Sequence, residues 1–409
     1  MQRYIVGGAV RDALLGLPVQ DRDYVVVGAT CEDMLAAGFT QVGQDFPVFI
    51  HPLTHEEYAL ARKERKTAPG YHGFVFDTDI TVTLAQDLLR RDITINAMAY
   101  ALDDIGTPVG PLIDPYGGQS DIAQKIFRHI SPAFSEDPVR ILRVARFAAR
   151  FHEFSIAPET DLLMQHMVQD GQTDTLVAER TWQELARGLM EQHPERMLAV
   201  LHRCGALARI VPELDTRWLS LSDDVLAGGG EDSGCVRNLR AAAQQQAPLP
   251  VRFAVLMQSL DMRQQSASDK EMQTVNAGVI LKNSLMQLDA VCVRLRVPNV
   301  CWHLARIVMR EYVNIIQAPL RSPAQLLDTL DACDIWRKQE RFEDIIFACT
   351  LIQGHVAARS DFAVELKHAY QAASQVNTQH IATQCAVAAA IPLAIREARV
   401  AAITAARIK

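Results

Sequence analysis

Apolar and polar residues change over in short runs through the first third of the chain, and then the period changes. Arg3–Val6 reads as a short strand closed by Gly7-Gly8, and Ala9–Leu15 as a short helix that Gly16 and Pro18 end. Tyr24–Val27 reads as an apolar strand bounded by Gly28. Val48–Ile50 and Glu57–Ala61 read as further strands, and Ala68–Thr78 as a loop bearing glycine and aromatic residues. From about Pro138 onward helical spacing dominates, predicting helices over Pro138–Phe151, Glu159–Met167, Glu179–Met190 and Glu195–His202. Ser220–Pro250 carries Gly228-Gly229-Gly230, Ser233-Gly234 and a glutamine run at 244–246, which predicts a linker or mobile loop. Helices resume beyond it. The pattern predicts an α+β chain: a head with a small mixed sheet over 1–137, an all-α neck over 138–219, a linker over 220–250, and a helical body and tail over 251–409.

Composition narrows the classes without choosing among them. The 409 residues suit two to four domains of roughly 100–200 residues. At 49% hydrophobic and 22% charged the chain is neither collagen-like nor globally disordered. No apolar run approaches the ~18 residues of a membrane span, and no charged–apolar–small leader pattern opens the chain, so a cytoplasmic protein without a membrane partner is expected. The eight cysteines form no CxxC pair, which fits a reducing compartment and argues against a cysteine zinc site. A net charge of −7 does not advertise a polyanionic partner, yet the cations cluster. Arg62, Lys63, Arg65 and Lys66 surround Glu64. Arg140, Arg143, Arg146 and Arg150 fall within one helical arc of about 120°.

Candidate chemistry begins at Asp21-Arg22-Asp23, leading into the apolar strand. Residues two apart on a strand share a face, so the two carboxylates are expected to converge, and a divalent cation relieves their repulsion. Hard oxygen ligands suit Mg²⁺, which keeps its other positions for water and phosphates. Upstream, Gly7-Gly8-Ala9-Val10-Arg11-Asp12 sits between a strand and a helix, where glycine backbone N–H groups and a helix start favour a phosphate. It is neither the GxxxxGK[ST] loop nor the GxGxxG fingerprint. Arg90-Arg91-Asp92 sets two cations beside a carboxylate, with Asp92 and Asn96 one helical turn apart. Glu136-Asp137-Pro138 reads as a helix start.

These blocks, in this order, resemble the nucleotidyltransferase head of bacterial tRNA CCA-adding enzymes, within the polymerase-beta-like superfamily. The resemblance rests on Gly7–Asp12, Leu14-Leu15-Gly16, Asp21-Arg22-Asp23, the RRD-x-T-x-NA-like stretch Arg90–Ala97, and the ED-x-x-R-like stretch Glu136–Arg140. It runs more loosely to about residue 215. It implies transfer of CMP and AMP from CTP and ATP to a tRNA 3′ end, with Asp21 and Asp23 as catalytic metal ligands for Mg²⁺. Gly8, Arg11 and Arg91 would fix the triphosphate. Asp137 and Arg140 would read the base edge, Arg143 would touch phosphate or base, and the 68–78 loop would act as a lever between C and A.

Relatives with such a head often carry a phosphohydrolase domain with paired His-Asp ligands. Here Gln258 and Ser259 stand where those are expected, and no histidine lies between His202 and His303, so that activity is expected to be absent. In the terminal helix, Arg396, Arg399, Arg407 and Lys409 read as a solvated face, with RNA phosphate as the other reading. A poly(A) polymerase, a partial CC- or A-adding enzyme and a non-catalytic tRNA-binding protein remain alternatives.

Overall fold

The structure, a computed structural model, describes residues 1–42, 48–66, 74–77, 79–218, 234–261, 273–336, 339–354 and 361–408. Two compact units divide the chain: Met1–Glu184 with Arg196–Ile210, and Leu185–Glu195 with Val211–Lys409.

The first unit is built on a seven-stranded mixed sheet. Its strands are β1 (Gln2–Val6), β2 (Asp23–Val27), β3 (Thr40–Val42), β4 (Val48–Ile50), β5 (Glu57–Leu60), β8 (Ala99–Leu102) and β9 (Pro108–Ile113), in the order β3-β4-β5-β2-β1-β8-β9. Only β2 and β5 run parallel. Alternation along β2 explains the two cores. Val25 faces Val6, Leu84, Leu88 and Ala99 on one side, whereas Tyr24 and Val26 face Met34, Phe49, Tyr58 and Leu60 on the other. Tyr24 stacks on Tyr58 across the parallel pair with ring centroids 4.4 Å apart.

Helices α1 (Gly8–Leu14), α2 (Cys31–Ala36), α3 (Leu84–Leu89) and α4 (Gly118–Gln124) belong to this sheet layer. Thr30 and Thr83 start α2 and α3 through reciprocal capping boxes. A short ribbon pairs β6 (Lys63–Lys66) with β7 (Phe74–Asp77), so part of the stretch expected to be loop, 74–77, is strand; 67–73 and 78 lie outside the described residues. The chain then passes β10 (Ile126–Phe127) into α5 (Val139–Arg150), pairs β11 (Ser155–Ile156) with β10, and continues through α6 (Pro158–Gln169), α7 (Ala178–Met190), α8 (Pro194–Arg203) and α9 (Ala206–Ile210). All four helices expected of the neck are present.

The second unit holds α10 (Pro212–Trp218), α11 (Gly234–Gln244), α12 (Leu249–Met257), α13 (Gln273–Leu295), α14 (Asn299–Ile316), α15 (Pro323–Ala332), α16 (Gln339–Ile352), α17 (Asp361–Ser374), α18 (Thr378–Gln384) and α19 (Ile391–Ile408). Two expectations are corrected here. The 220–250 stretch is not wholly a linker: 219–233 lie outside the described residues, but α11 buries Val236, Leu239 and Ala242 completely. The basic residues of α19 are not simply a solvated face. Arg396 pairs with Asp328 at 2.6 Å, Arg399 lies over the Trp336 ring at 3.8 Å, and Arg407 pairs with Glu365 and donates to the carbonyl oxygens of Ala318 and Arg321.

Gly118 opens α4 beneath a short 3₁₀ turn at Thr94–Asn96, and a Cβ there would come 2.4 Å from the Thr94 carbonyl oxygen and 3.0 Å from the Met98 side chain. Backbone cannot give way as a side-chain tip can. Gly118→Ala is therefore expected to destabilise the first unit by about 1–3 kcal/mol, read as an earlier urea midpoint with an unchanged slope.

Candidate active site

The β1–α1 turn is the point from which the site is built. Gly7 sits at φ +72°, a conformation that suits glycine, and its N–H donates to the Met98 carbonyl at 3.2 Å. A Cβ on Gly7 would lie 2.6 Å from Arg91 Nη1 and 3.7 Å from Asp23 Oδ2. The missing side chain is thus what lets the Arg91 guanidinium lie against the turn beside the Asp23 carboxylate. Antiparallel pairing sets Val6 opposite Asp23, so strand register delivers the carboxylate to the glycine turn.

Asp23 opens β2 and is exposed. Asp21, also exposed, precedes the strand, so the two-residue strand period does not position it; the connecting loop does. Arg91 is mostly enclosed. Its Nη2 lies 3.5 Å from Asp87 Oδ2, its Nη1 is 3.5 Å from the Asn96 carbonyl oxygen, and its buried Nε has no hydrogen-bond partner. Burial pushes its guanidinium below the ordinary value while Asp87 and Asp23 oppose that. A partly satisfied cation next to an exposed carboxylate is suited to an anion brought in with a divalent metal.

Behind this point runs a buried polar lattice. Asp92 Oδ1 accepts from the Ile93 N–H at 2.9 Å and from Asn96 Nδ2 at 3.0 Å, and Oδ2 accepts from Arg143 Nε at 2.7 Å. Burial works against the Asp92 charge, but Arg143 and these hydrogen bonds outweigh it and hold the carboxyl well below the usual range. The i,i+4 contact between Asp92 and Asn96 is real, though 3₁₀ turn rather than α-helix makes it. Asn96 Oδ1 accepts from Arg11 Nη1 at 2.6 Å, Arg11 pairs with Asp12 at 2.8 Å, and Asp12 Oδ2 accepts from Arg150 at 2.9 Å. Arg11 is 3% exposed and lies over the rings of Phe147 and Phe151. It braces the glycine turn from behind instead of reaching into solvent, which corrects its reading as a free phosphate ligand.

The α5 arginines make interior contacts as well. Arg140 is 7% exposed and donates to the carbonyl oxygens of Ala133 at 2.8 Å and Arg90 at 2.6 Å. Arg143 and Arg150 hold Asp92 and Asp12, and Arg146 pairs with Glu184 at 2.6 Å. The basic arc turns inward. Asp137 Oδ1 caps the Val139 N–H at 3.0 Å, and its Oδ2 accepts from Arg180 at 3.0 Å. Asp137 and Arg140 thus both serve one helix start. Sequence reasoning missed Arg180, Asp12, Asp87 and Glu184. The adjacent Arg11-Asp12 charges were a usable signal for one of them; Arg180 lies too far along the chain to be paired by spacing.

Comparison with known proteins decides what this arrangement belongs to. A Poly A polymerase head domain model matches residues 3–128, and a model described as a probable RNA- and SrmB-binding site of polymerase A matches 153–217. The multifunctional CCA protein of Cupriavidus metallidurans is 52% identical over 94% of this chain and 93% of its own. That of Cupriavidus pinatubonensis is 51% identical over 99% and 98%. The chain belongs to the CCA-adding tRNA nucleotidyltransferase family. The fold agrees: the Thermotoga maritima CCA-adding enzyme, solved in complex with tRNA, aligns over 100% of this chain and 91% of its own with a TM-score of 0.62 at 19% identity.

The segment expected to carry paired His-Asp ligands can be placed as well. Gln258, at the end of α12, donates from Nε2 to Asp261 Oδ2 at 3.0 Å, and Ser259 Oγ donates to the Leu256 carbonyl at 2.7 Å. Both are buried or half-buried, and among the described residues no group of three or more His, Cys, Asp or Glu is placed to hold a metal.

The Asp92 lattice sets an acid limit. Its folded-state pKa is depressed, so its stabilisation is present above the unfolded value of about 4 and is lost as pH falls below it. Asp92→Asn is expected to lower the urea midpoint at pH 7, and the gap to the parent should narrow steadily between about pH 4 and pH 2. A gap constant with pH would show that the carboxylate charge contributes nothing.

Proposed function

We propose that the chain completes tRNA 3′ ends by template-independent addition of CCA from CTP and ATP, with Asp21 and Asp23 as the metal-holding carboxylates, in the cytoplasm. The observation that carries this is the meeting of the Gly7-Gly8 turn, Arg91 and Asp23 at one point, in a chain half identical to CCA proteins over nearly its whole length.

Two exposed carboxylates, with no cluster of three ligands among the described residues, fit a hard divalent cation that keeps water and phosphate oxygens, which favours Mg²⁺. When bound, such a cation supplies activation of the terminal hydroxyl and neutralisation of the departing pyrophosphate. The chain's own residues supply position. Backbone N–H groups at Gly8 and the start of α1 face the triphosphate. Arg91 moves from its loose contacts onto the phosphate oxygens, and Arg143, about a third exposed, lies at hand for phosphate or base.

Base choice falls to Asp137 and Arg140. Cytosine and adenine each offer an exocyclic amine donor beside a ring-nitrogen acceptor, which an aspartate acceptor and an arginine donor match; guanine and uracil invert that pattern. Arg140 is held in place by two backbone carbonyls, and Asp137 is held by Arg180 until a base edge takes that place. The substitution of Gln258 and Ser259 for metal ligands supports loss of phosphohydrolase activity, because an amide and a hydroxyl do not replace imidazole and carboxylate toward such metals.

The test is single-nucleotide extension with Mg²⁺ on tRNA transcripts ending at the discriminator base, C, CC and CCA. Stepwise addition stopping at CCA is expected, reduced at least about 10³-fold by Asp21→Ala or Asp23→Ala. Gly7→Ala should lower it mainly by displacing Arg91. Unlimited A tails would make the chain a poly(A) polymerase, and arrest after CC a partial enzyme. In the same assay Arg180→Ala should raise GTP and UTP incorporation relative to CTP and ATP. Incubating the parent with bis-p-nitrophenyl phosphate and Mn²⁺ or Ni²⁺ should release no nitrophenol; turnover there would refute the loss of hydrolysis.

A further inference from the structure

Asp87 is wholly buried in α3, and two arginines and a backbone donor compete for its carboxylate. Helical spacing sets Arg90 and Arg91, three and four residues on, over the same side chain. The sharing is unequal. Arg90 takes Oδ1 with two donors, Nε at 2.9 Å and Nη2 at 2.8 Å, and the Arg62 N–H reaches that oxygen at 3.3 Å. Oδ2 accepts no hydrogen bond, although Arg91 Nη2 stands 3.5 Å away. Arg91 is short of hydrogen-bond partners to match: its Nη1 makes one long bond to the Asn96 carbonyl oxygen, and its buried Nε makes none. Arg90 is also fixed through its main chain, because its carbonyl oxygen accepts from Arg140 Nη2 at 2.6 Å. Held at both ends, Arg90 keeps Asp87 Oδ1 and leaves Arg91 the weaker share.

We propose that Asp87 is a positioning residue that sets how tightly Arg91 grips the triphosphate. A guanidinium closed onto a carboxylate at full hydrogen-bond distance is neutralised and gives little to an incoming nucleotide. One with no carboxylate beside it holds phosphate oxygens hard, and holds those of pyrophosphate as hard after transfer. Asp87 keeps Arg91 between these limits, near enough to stay against the Gly7 turn and too far to be satisfied. Resting on the triphosphate role given to Arg91 above, this extends that role to product release: the grip that fixes the nucleotide also opposes departure of the pyrophosphate.

A carboxylate needed only to pack α3 would have both oxygens bonded, as buried polar atoms usually are. Here the open oxygen faces the one cation that borders the mouth. The two partners of Asp87 therefore predict effects of opposite sign. Asp87→Asn keeps an acceptor for Arg90 and the Arg62 N–H, removes the charge, and turns an amide N–H toward Arg91, which strengthens its pull on phosphate. Arg90→Gln loosens the tight partner and leaves the full Asp87 charge to Arg91, which weakens that pull.

Calorimetric titration of the full chain with pyrophosphate, and separately with CTP, tests this in saturating Mg²⁺, where the cation occupies Asp23. Arg91→Ala should weaken both ligands at least about tenfold. Asp87→Asn should tighten both about three- to tenfold, and Arg90→Gln should weaken both by a similar factor. Adding Asp87→Asn to Arg91→Ala should change pyrophosphate binding no further. In nucleotide extension Asp87→Asn should lower KM for CTP and ATP together with kcat, and pyrophosphate should inhibit it more strongly than the parent. Thermal melting by circular dichroism controls for folding; Arg90→Gln, at a partly exposed side chain, carries the test if Asp87→Asn does not fold. Weaker or unchanged binding in Asp87→Asn, or unchanged or tighter binding in Arg90→Gln, overturns the proposal. Pyrophosphate binding unmoved by Arg91→Ala overturns the triphosphate role of Arg91 itself, and the role of Asp87 with it.

Discussion

A carboxylate sealed from water stays charged only if cations and donors reach it from several directions, and Asp92 is such a carboxylate. Arg143 from α5, Asn96 and the Ile93 N–H all converge on it. Through Asn96 the same demand extends to Arg11, then to Asp12 and on to Arg150. The glycine turn, the 91–96 segment and α5 are thereby parts of one hydrogen-bonded lattice. Removing Arg143 strips the buried Asp92 of its ion-pair partner, which costs more than the pair contributes. The precision of the mouth, where Gly7, Arg91 and Asp23 meet, rests on this interior.

Much of this was legible beforehand. The Gly-Gly turn, the acidic strand entry and the helix start at Glu136-Asp137-Pro138 are local features, and local chemistry writes them into short motifs. The arginine arc of α5 shows the limit. Periodicity placed Arg140, Arg143, Arg146 and Arg150 on one side, but it could not name the carboxylates that side meets. Their partners, Asp92, Asp12 and Glu184, are scattered along the chain, and only the tertiary fold brings them together. Arg180 was invisible for the same reason, and the Arg11 reading failed because burial is not written in a turn motif. In the second unit, Gly-rich flanks drew attention from the apolar positions of Val236, Leu239 and Ala242, so a buried helix was read as linker.

The two units treat their polar residues differently. In the first, buried charges are concentrated behind the Gly7 turn and most are paired, while Arg91 Nε and Asp87 Oδ2 lack hydrogen-bond partners there. In the second, Gln258 donates its amide to the Asp261 carboxylate and the Ser259 hydroxyl donates to the backbone. Helix α12 is held by packing, with Arg252 donating to the carbonyl oxygens of Ala247, Leu189 and Glu191.

The pairing of Val6 with Asp23 has a further consequence for how such a head tolerates change. The connection from Gly16 to Gln20 is almost wholly exposed, so its length is free to drift without disturbing the sheet. The ladder itself is not free. A slip of one residue between β1 and β2 would carry Asp23 to the opposite face of the sheet and bring Val25 out of one core into the other. Insertions between Gly16 and Gln20 therefore leave the ladder intact and move only the loop that leads to Asp21, whereas a single insertion inside the strand takes Asp23 away from the turn.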